Sequence, residues 1–250
     1  MPSNLAKRHI EVNARLRNRT VARVSQLWRA LPEYRDETLP EWLSAVVPLI
    51  KAAQRTQVDI TVAYLSRALD RPVEGFTADD VMSMYRAGVS HEDVYTRPYS
   101  EVWTALADGA PFSEARRRGE FRATQTAATD VQLAMRDTLS IAGNTDDSIW
   151  GYQRVADGDA CDFCLELEGA QFRTDDPMPI HPNCGCGVEP VVYTRGVDNM
   201  NALRDFNRNP TAVPVERVNQ AASLTPEGVK IVTHGELGPV ITDPSHSFTS

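Results

Sequence analysis

Apolar residues in the first part of the chain recur at helical spacing. Between residues 4 and 31 most of them lie three, four or seven positions apart, which keeps one face of a helix apolar. Ser3 precedes this stretch as an N-cap, and Pro32 follows it and stops the helix. The pattern predicts a first helix over residues 4–31, whose apolar face consists of Leu5, Val12, Leu16, Val21, Val24, Trp28 and Leu31.

Further helices are predicted from capping and helix-ending signals. Thr38 and Glu41 have the spacing of a capping box, with a proline in the first turn, and begin a helix that runs to about residue 69. Pro48 lies inside it and removes one backbone hydrogen bond, so we expect a kink or a break there. The remaining predicted helices are a short one between Thr77 and Gly88, one over about 98–108, and a long one over 112–142.

From Ser148 the pattern changes to that of strands. Residues 149–155 and 187–193 are rich in β-forming residues and enclose a segment that contains every cysteine. Residues 194–228 are polar, contain three prolines and predict a linker with one short helix near 198–207. Residues 229–242 alternate on both sides of a Gly-Glu-Leu-Gly turn and predict a hairpin.

These elements predict an α+β fold that is mainly α. Four parts follow one another along the chain. A helical domain of long, kinked helices with a basic first helix is followed by a small β-containing zinc-knuckle module, a linker and a C-terminal hairpin and tail. Their predicted ranges are 1–145, 146–193, 194–228 and 229–250.

Composition is that of a globular protein, with 42% hydrophobic and 24% charged residues. No uncharged apolar run has membrane-spanning length, and the N-terminus lacks the apolar region of a secretory signal. We therefore expect no membrane association and a reducing cytoplasm, where disulfides are rare.

The charge is unevenly distributed. The net charge of −8 argues against binding of nucleic acid along the whole chain. Residues 1–35 contain eight basic and two acidic residues, a net +6, so the remainder carries −14. This basic stretch is either a solvated helix face or an arm that contacts nucleic acid or an acidic partner. The candidate contact residues are Lys7, Arg8, Arg15, Arg17, Arg19 and Arg23.

All four cysteines and one histidine lie within 26 positions, in the order C-x2-C-x16-H-x2-C-x-C. Thiolate and imidazole ligands in tetrahedral geometry select zinc over magnesium or calcium. Cys161 and Cys164 are the surest of the ligands. The other two are either Cys184 and Cys186, or His181 with one of these cysteines. We favour His181 with Cys186, but the sequence leaves the choice open.

Other chemistry fits the cluster less well. The reducing compartment disfavours two disulfides. The neighbouring sequence disfavours a thioredoxin-like redox pair, and the histidine among the ligands disfavours an iron–sulfur cluster. The H-E-x-x-H motif of zinc proteases is absent, and the motif of zinc deaminases would have to occur in reverse order. Glu166 and Glu168 are the nearest candidates for a general base, so a zinc-dependent hydrolase is one alternative.

A nucleic-acid-binding zinc knuckle is a second alternative. It would need basic and aromatic residues in the knuckle, but residues 161–187 have a single basic side chain, Arg173, against five acidic ones. We therefore interpret the zinc as structural: it holds a segment too small to bury a core of its own. The acidic residues are Asp162, Glu166, Glu168, Asp175 and Asp176.

The cysteine-rich segment resembles that of the Mu F-like minor head proteins of tailed bacteriophages, the head-morphogenesis family. In that family a strand precedes Ala-Cys-x-x-Cys and a Glu-Leu-x-Gly turn, and His-Pro-x-Cys-x-Cys precedes a second strand. The family usually has arginine or lysine where this chain has Gly185. The matching positions are Cys161, Cys164, Leu167, Gly169, His181, Pro182, Cys184 and Cys186.

The resemblance implies a structural virion protein without enzymatic activity. It would lie inside the phage head near the portal, assist capsid assembly or DNA packaging and ejection, and assemble in the host cytoplasm. The implied partners are the portal protein and the major capsid protein, with packaged DNA near the basic first helix. The tail HGELGPVIT is similar to that of members from actinobacterial phages.

Overall fold

The structure, a computed structural model, describes residues 2–175, 178–192 and 230–242. It is mainly helical with a small antiparallel sheet, which confirms the predicted α+β class. The helices are α1 (Asn4–Ala30), α2 (Leu39–Ala68), α3 (Ala78–Ser83), α4 (His91–Ala107), α5 (Phe112–Thr145) and α6 (Asp162–Glu166). The strands are β1 (Ile149–Val155), β2 (Gln171–Arg173), β3 (Gly187–Val192), β4 (Lys230–His234) and β5 (Gly238–Thr242).

The two N-terminal helices keep their predicted bounds to within a residue. The Oγ of Ser3 accepts a hydrogen bond from the Ala6 amide at 3.1 Å, as the predicted N-cap requires. Helix α2 continues through Pro48, so of the predicted kink or break the break is wrong and the kink stays a prediction. The predicted cap by Thr38 is also wrong: its backbone is already helical, and its hydroxyl bonds to the preceding loop and to the hydroxyl of Tyr99.

Helix α4 begins seven residues before its predicted start at 98. Ser90 is its N-cap, and the Ser90 Oγ accepts from the Asp93 amide at 3.0 Å. Pro98 therefore lies within the helix and does not begin it. The serine cap upstream determines where the helix begins.

One hydrophobic core lies between the C-terminal half of α1, the start of α2, α4 and the start of α5. Its centre is aromatic, with the rings of Trp28 and Trp42 packed edge to face at 5.1 Å. Both indole N–H groups are satisfied, since Trp28 donates to the Arg116 carbonyl and Trp42 donates to the Tyr95 carbonyl. We call this the aromatic core.

A second core joins the other ends of the helices to the sheet. It includes Ile10 of α1, Tyr64 of α2 and Leu139 of α5, together with Phe163 and Cys164 of the cysteine-rich segment. We call this the shared core. The predicted boundary near residue 145 coincides with the end of α5, but the packing continues across it.

The sheet is antiparallel with the order β2-β1-β3. Tyr152 in the central strand pairs with Phe172 on one side and with Pro190 on the other. β1 and β3 match the predicted strands, whereas β2 and the single turn of α6 were not predicted. The sheet places the two halves of the cysteine-rich segment side by side.

Strands β4 and β5 pair as the predicted hairpin, and its turn docks on the helices. The Glu236 carboxylate accepts from both terminal nitrogens of Arg97, at 2.8 and 2.5 Å, and from Arg86 at 3.4 Å. Leu237 is buried in the shared core, and its carbonyl accepts from Arg136. The predicted linker over 194–228 and its short helix lie outside the described residues.

The described ranges include no helix with both the length and the apolar character that a membrane span needs.

Gly119 is the point where α5 approaches α1 and α4 most closely. A Cβ there would lie 2.4 Å from Trp28 Cζ2 and 2.6 Å from Val102 Cγ2. We expect Gly119→Ala to destabilise the protein by about 1–2 kcal/mol, because overpacking costs more than alanine gains in a helix. Chemical denaturation measures the change. Gly158→Ala is the control, since that position has open space and should shift stability by less than about 0.5 kcal/mol. Equal effects of the two substitutions would contradict the close approach.

Candidate metal centre

Cys161 and Cys164 are positioned by α6. Cys161 is the N-cap residue, with an extended backbone, and Cys164 lies in the single turn that follows. Residues three positions apart on a helical turn lie on the same side, so both sulfurs face the same point. The burial of Phe163 and Leu167 in the shared core fixes that turn.

The other three candidate ligands come from the loop that leads into β3. Asn183 has a positive φ of 61°, which turns the chain sharply, and the Cys184 amide donates to the His181 carbonyl at 3.0 Å. Cys186 immediately precedes the first residue of β3. Because β3 pairs with β1, this loop lies against α6.

All five predicted ligands meet in one cluster. Their ligand atoms form two groups that share Cys164, and within each group the atoms lie no more than 4.8 Å apart. Two sulfurs bound to the same zinc at about 2.3 Å stand about 3.8 Å apart, so this spacing suits a tetrahedral ion. The groups are Cys161, Cys164 and His181, and Cys164, Cys184 and Cys186.

His181 faces the sulfurs with a single nitrogen. Its Nε2 lies 3.0 Å from Cys164 Sγ and 3.5 Å from Cys161 Sγ. Its Nδ1 lies 2.8 Å from the Pro182 carbonyl, which can only accept a hydrogen bond. Nδ1 therefore carries a proton, and Nε2 is the nitrogen that faces the sulfurs and can bind a metal once it is unprotonated, an arrangement common in metal-binding histidines.

The sulfurs share protons within a small buried volume. Hydrogen bonding to Cys164, and then to His181, lowers the pKa of Cys161 to about 3. Hydrogen bonds from Cys164 and Cys186 likewise hold the pKa of Cys184 well below its usual value. Hydrogen bonds to the neighbouring cysteines raise the pKa of Cys164. For Cys186, the hydrogen bond to Cys164 lowers the pKa, but the hydrogen bond to Cys184 and burial outweigh it and raise the pKa to about 11. A divalent cation would displace the remaining protons, since metal-bound cysteines are thiolates.

Helices α1, α2 and α5 brace this loop through its backbone. Arg17 donates to the Cys184 carbonyl at 2.8 Å, and Gln132 donates to the Cys186 carbonyl at 2.8 Å. Next to the loop, the Tyr64 hydroxyl donates to the carbonyl of Val188 in β3 at 2.9 Å. The partners in each contact are more than fifty positions apart, so no local sequence pattern indicates these contacts.

Gly185 has no space for a side chain. A Cβ there would lie 1.7 Å from the Asp157 carboxylate and 2.9 Å from Arg17 Nη1. Any larger residue would have to displace Asp157. The guanidinium of Arg17 therefore lies beside the backbone of Gly185.

The basic residues of α1 separate into two groups. At 3.6 residues per turn, five of them fall within an arc of about 160° on the exposed side of the helix. Arg17 falls on the opposite side, which explains its contact with the cysteine loop. The exposed group, called the basic face below, consists of Lys7, Arg8, Arg15, Arg19 and Arg23.

Neither group of ligand atoms includes a carboxylate from the described residues. Glu166 is half-buried and Glu168 is exposed on the turn after Cys164, and both lie outside the cluster. Sequence reasoning missed one residue that does contact the sulfurs. Arg154 in β1 is 1% exposed and donates to Cys164 Sγ at 2.9 Å and to Cys184 Sγ at 3.4 Å.

Comparison with known proteins gives one match. A family model described as VG15 protein matches residues 1–203, a range that includes α1 to α6, the sheet and all five candidate ligands. No curated protein and no solved structure matches the chain.

Cys164 belongs to both groups of ligand atoms, so we expect its loss to be the most damaging. Cys164→Ser should lower zinc affinity by more than about 100-fold, beyond the effect typical of residues that only support ligands. Competition with a chromophoric chelator measures the affinity. The same measurement on Cys161→Ser, Cys184→Ser and Cys186→Ser provides the comparison. A Cys164→Ser chain that keeps tight zinc binding would contradict the shared position.

Proposed function

Because the chain belongs to the VG15 protein family, a family of phage gene products, we propose that it is a structural minor head protein of a tailed phage. Its role is that of the Mu F-like proteins: it lies inside the head near the portal and assists assembly or the packaging and ejection of DNA. Its partners are the portal protein and the major capsid protein. The resemblance of the tail favours an actinobacterial host.

One observation carries the proposal. The cysteine cluster lies in the shared core, where Cys164 and Cys186 are at most 1% exposed, and helices α1 and α5 bind its loop. Catalytic zinc sites keep one open position and a nearby base. Here the sulfur and nitrogen ligands are sufficient to complete a tetrahedron, so the metal is structural and the protein is no enzyme.

The basic face supports a contact with an acidic partner. Its five side chains are exposed, and the charge of the remaining chain is strongly negative. Lysine and arginine neutralise phosphate charge, so packaged DNA close to the portal fits this face. DNA repels the acidic remainder of the chain, and this repulsion favours an orientation in which α1 faces the DNA.

The zinc proposal is tested by removing the metal. We expect about one zinc per chain, and a chelator should accelerate amide hydrogen exchange in β1, β3 and the first turns of α1, because these elements pack in the shared core with the cluster. The aromatic core around Trp28 and Trp42 serves as internal control and should keep its protection. Unchanged exchange throughout would contradict a structural metal.

The basic face is tested with Arg15, Arg19 and Arg23 replaced together by glutamine. We expect weaker DNA binding and a salt dependence whose slope falls by about three, one for each lost phosphate contact. The control replaces Arg55, Arg117 and Arg118, which are exposed on α2 and α5 and change the net charge equally.

The same two variants are compared in co-purification with the portal ring. Loss of portal association in the Arg15, Arg19 and Arg23 variant alone identifies the basic face as the portal contact. Absence of the wild-type chain from the portal and from every other capsid component would overturn the minor head role.

A further inference from the structure

Arg154 is a buried cation within a cluster of sulfurs. It lies in β1, the central strand of the sheet, two residues after Tyr152, and is 1% exposed. Its Nη1 donates to the Pro179 carbonyl at 2.8 Å, and its Nη2 lies 2.9 Å from Cys164 Sγ and 3.4 Å from Cys184 Sγ. One guanidinium thus connects both halves of the cysteine-rich segment.

This arginine has no carboxylate partner among the described residues. No Asp or Glu oxygen there lies within 4.0 Å of it, whereas the buried guanidinium of Arg86 faces the Asp130 carboxylate at 2.8 Å. Burying an uncompensated charge costs several kcal/mol. Among the described residues, the sulfurs of Cys164 and Cys184 are the groups in contact with Arg154 that can carry a compensating negative charge, as they do when they bind a metal as thiolates.

The charge of a metal-loaded cluster fits this requirement. A divalent ion with three thiolates and a neutral imidazole carries −1, and with four thiolates it carries −2. The guanidinium reduces the net buried charge to 0 or −1. In both cases Arg154 offsets charge that the ion leaves on its sulfur ligands, and hydrogen bonds to charged acceptors are the stronger kind.

We propose that Arg154 is a positioning residue of the metal centre: it orients the sulfurs of Cys164 and Cys184 toward the ion and offsets the negative charge of the ligand set. The inference rests on the zinc site of the proposed function. It assigns a role to a residue of the strand before the cluster, outside the Cys and His positions that the spacing identifies.

The experiment compares full-length chains with Arg154→Met, Arg154→Lys and Arg136→Met. Arg136 is the matched control, because it is also buried in contact with the shared core but donates to the Leu237 carbonyl instead of to the cluster. Zinc affinity is measured by chelator competition. Each chain is also loaded with Co²⁺, whose absorption bands report the sulfur ligands directly.

We expect Arg154→Met to bind zinc about 10–100-fold more weakly, the range found when a group that supports metal ligands is removed. Its thiolate-to-cobalt band should be weakened or shifted. Arg154→Lys keeps the charge but cannot reach Pro179 and both sulfurs together, so its zinc affinity should lie between that of the wild type and that of Arg154→Met. Arg136→Met should lose stability and keep the zinc affinity and cobalt spectrum of the wild type.

Wild-type affinity and spectrum in Arg154→Met would overturn the role of Arg154. If that variant does not fold, Arg154→Lys decides: weaker binding supports the role, and unchanged binding and spectrum overturn it. Failure of the wild-type chain to bind zinc at all would instead overturn the metal site of the proposed function, so the two failures are distinguishable.

Discussion

The burial of cysteine and histidine side chains in one cluster is the constraint around which the C-terminal half of the described structure is arranged. Thiolates placed in an apolar core need a cation within contact distance. The cluster receives the guanidinium of Arg154 from the central strand and is suited to a divalent ion between α6 and the loop before β3. The sheet is small, so its own apolar area contributes little. The pairing of β1 with β3 holds the two strands that enclose the cysteine-rich segment next to each other.

The same constraint accounts for how the helices attach. The carbonyl groups of Cys184 and Cys186 in the loop and of Val188 in β3 each require a donor, because backbone groups buried without a partner are costly. Arg17, Gln132 and Tyr64 supply these donors from three different helices. Helix α1 consequently has two electrostatic roles: one side completes the loop, and the opposite side presents the basic face.

Local signals were sufficient to predict most elements. Periodicity and caps identified α1, α2, α5, β1 and β3, and cysteine spacing identified all five members of the cluster. Features that depend on tertiary contacts were not predictable. Thr38 fails as a cap because Tyr99 and the preceding loop bind its hydroxyl. The burial of Arg154 was not predicted, since the sulfurs that it contacts are ten and thirty positions away in the chain.

The turn of the C-terminal hairpin binds to the helical part of the same chain. Charges alternate inward from Glu236 through Arg86 to Asp130, and Leu237 fills the adjoining apolar position. Within the described residues, this attachment consists of ion pairs, one hydrogen bond to a backbone carbonyl and one buried side chain. It therefore joins parts of the chain that are more than a hundred positions apart in sequence.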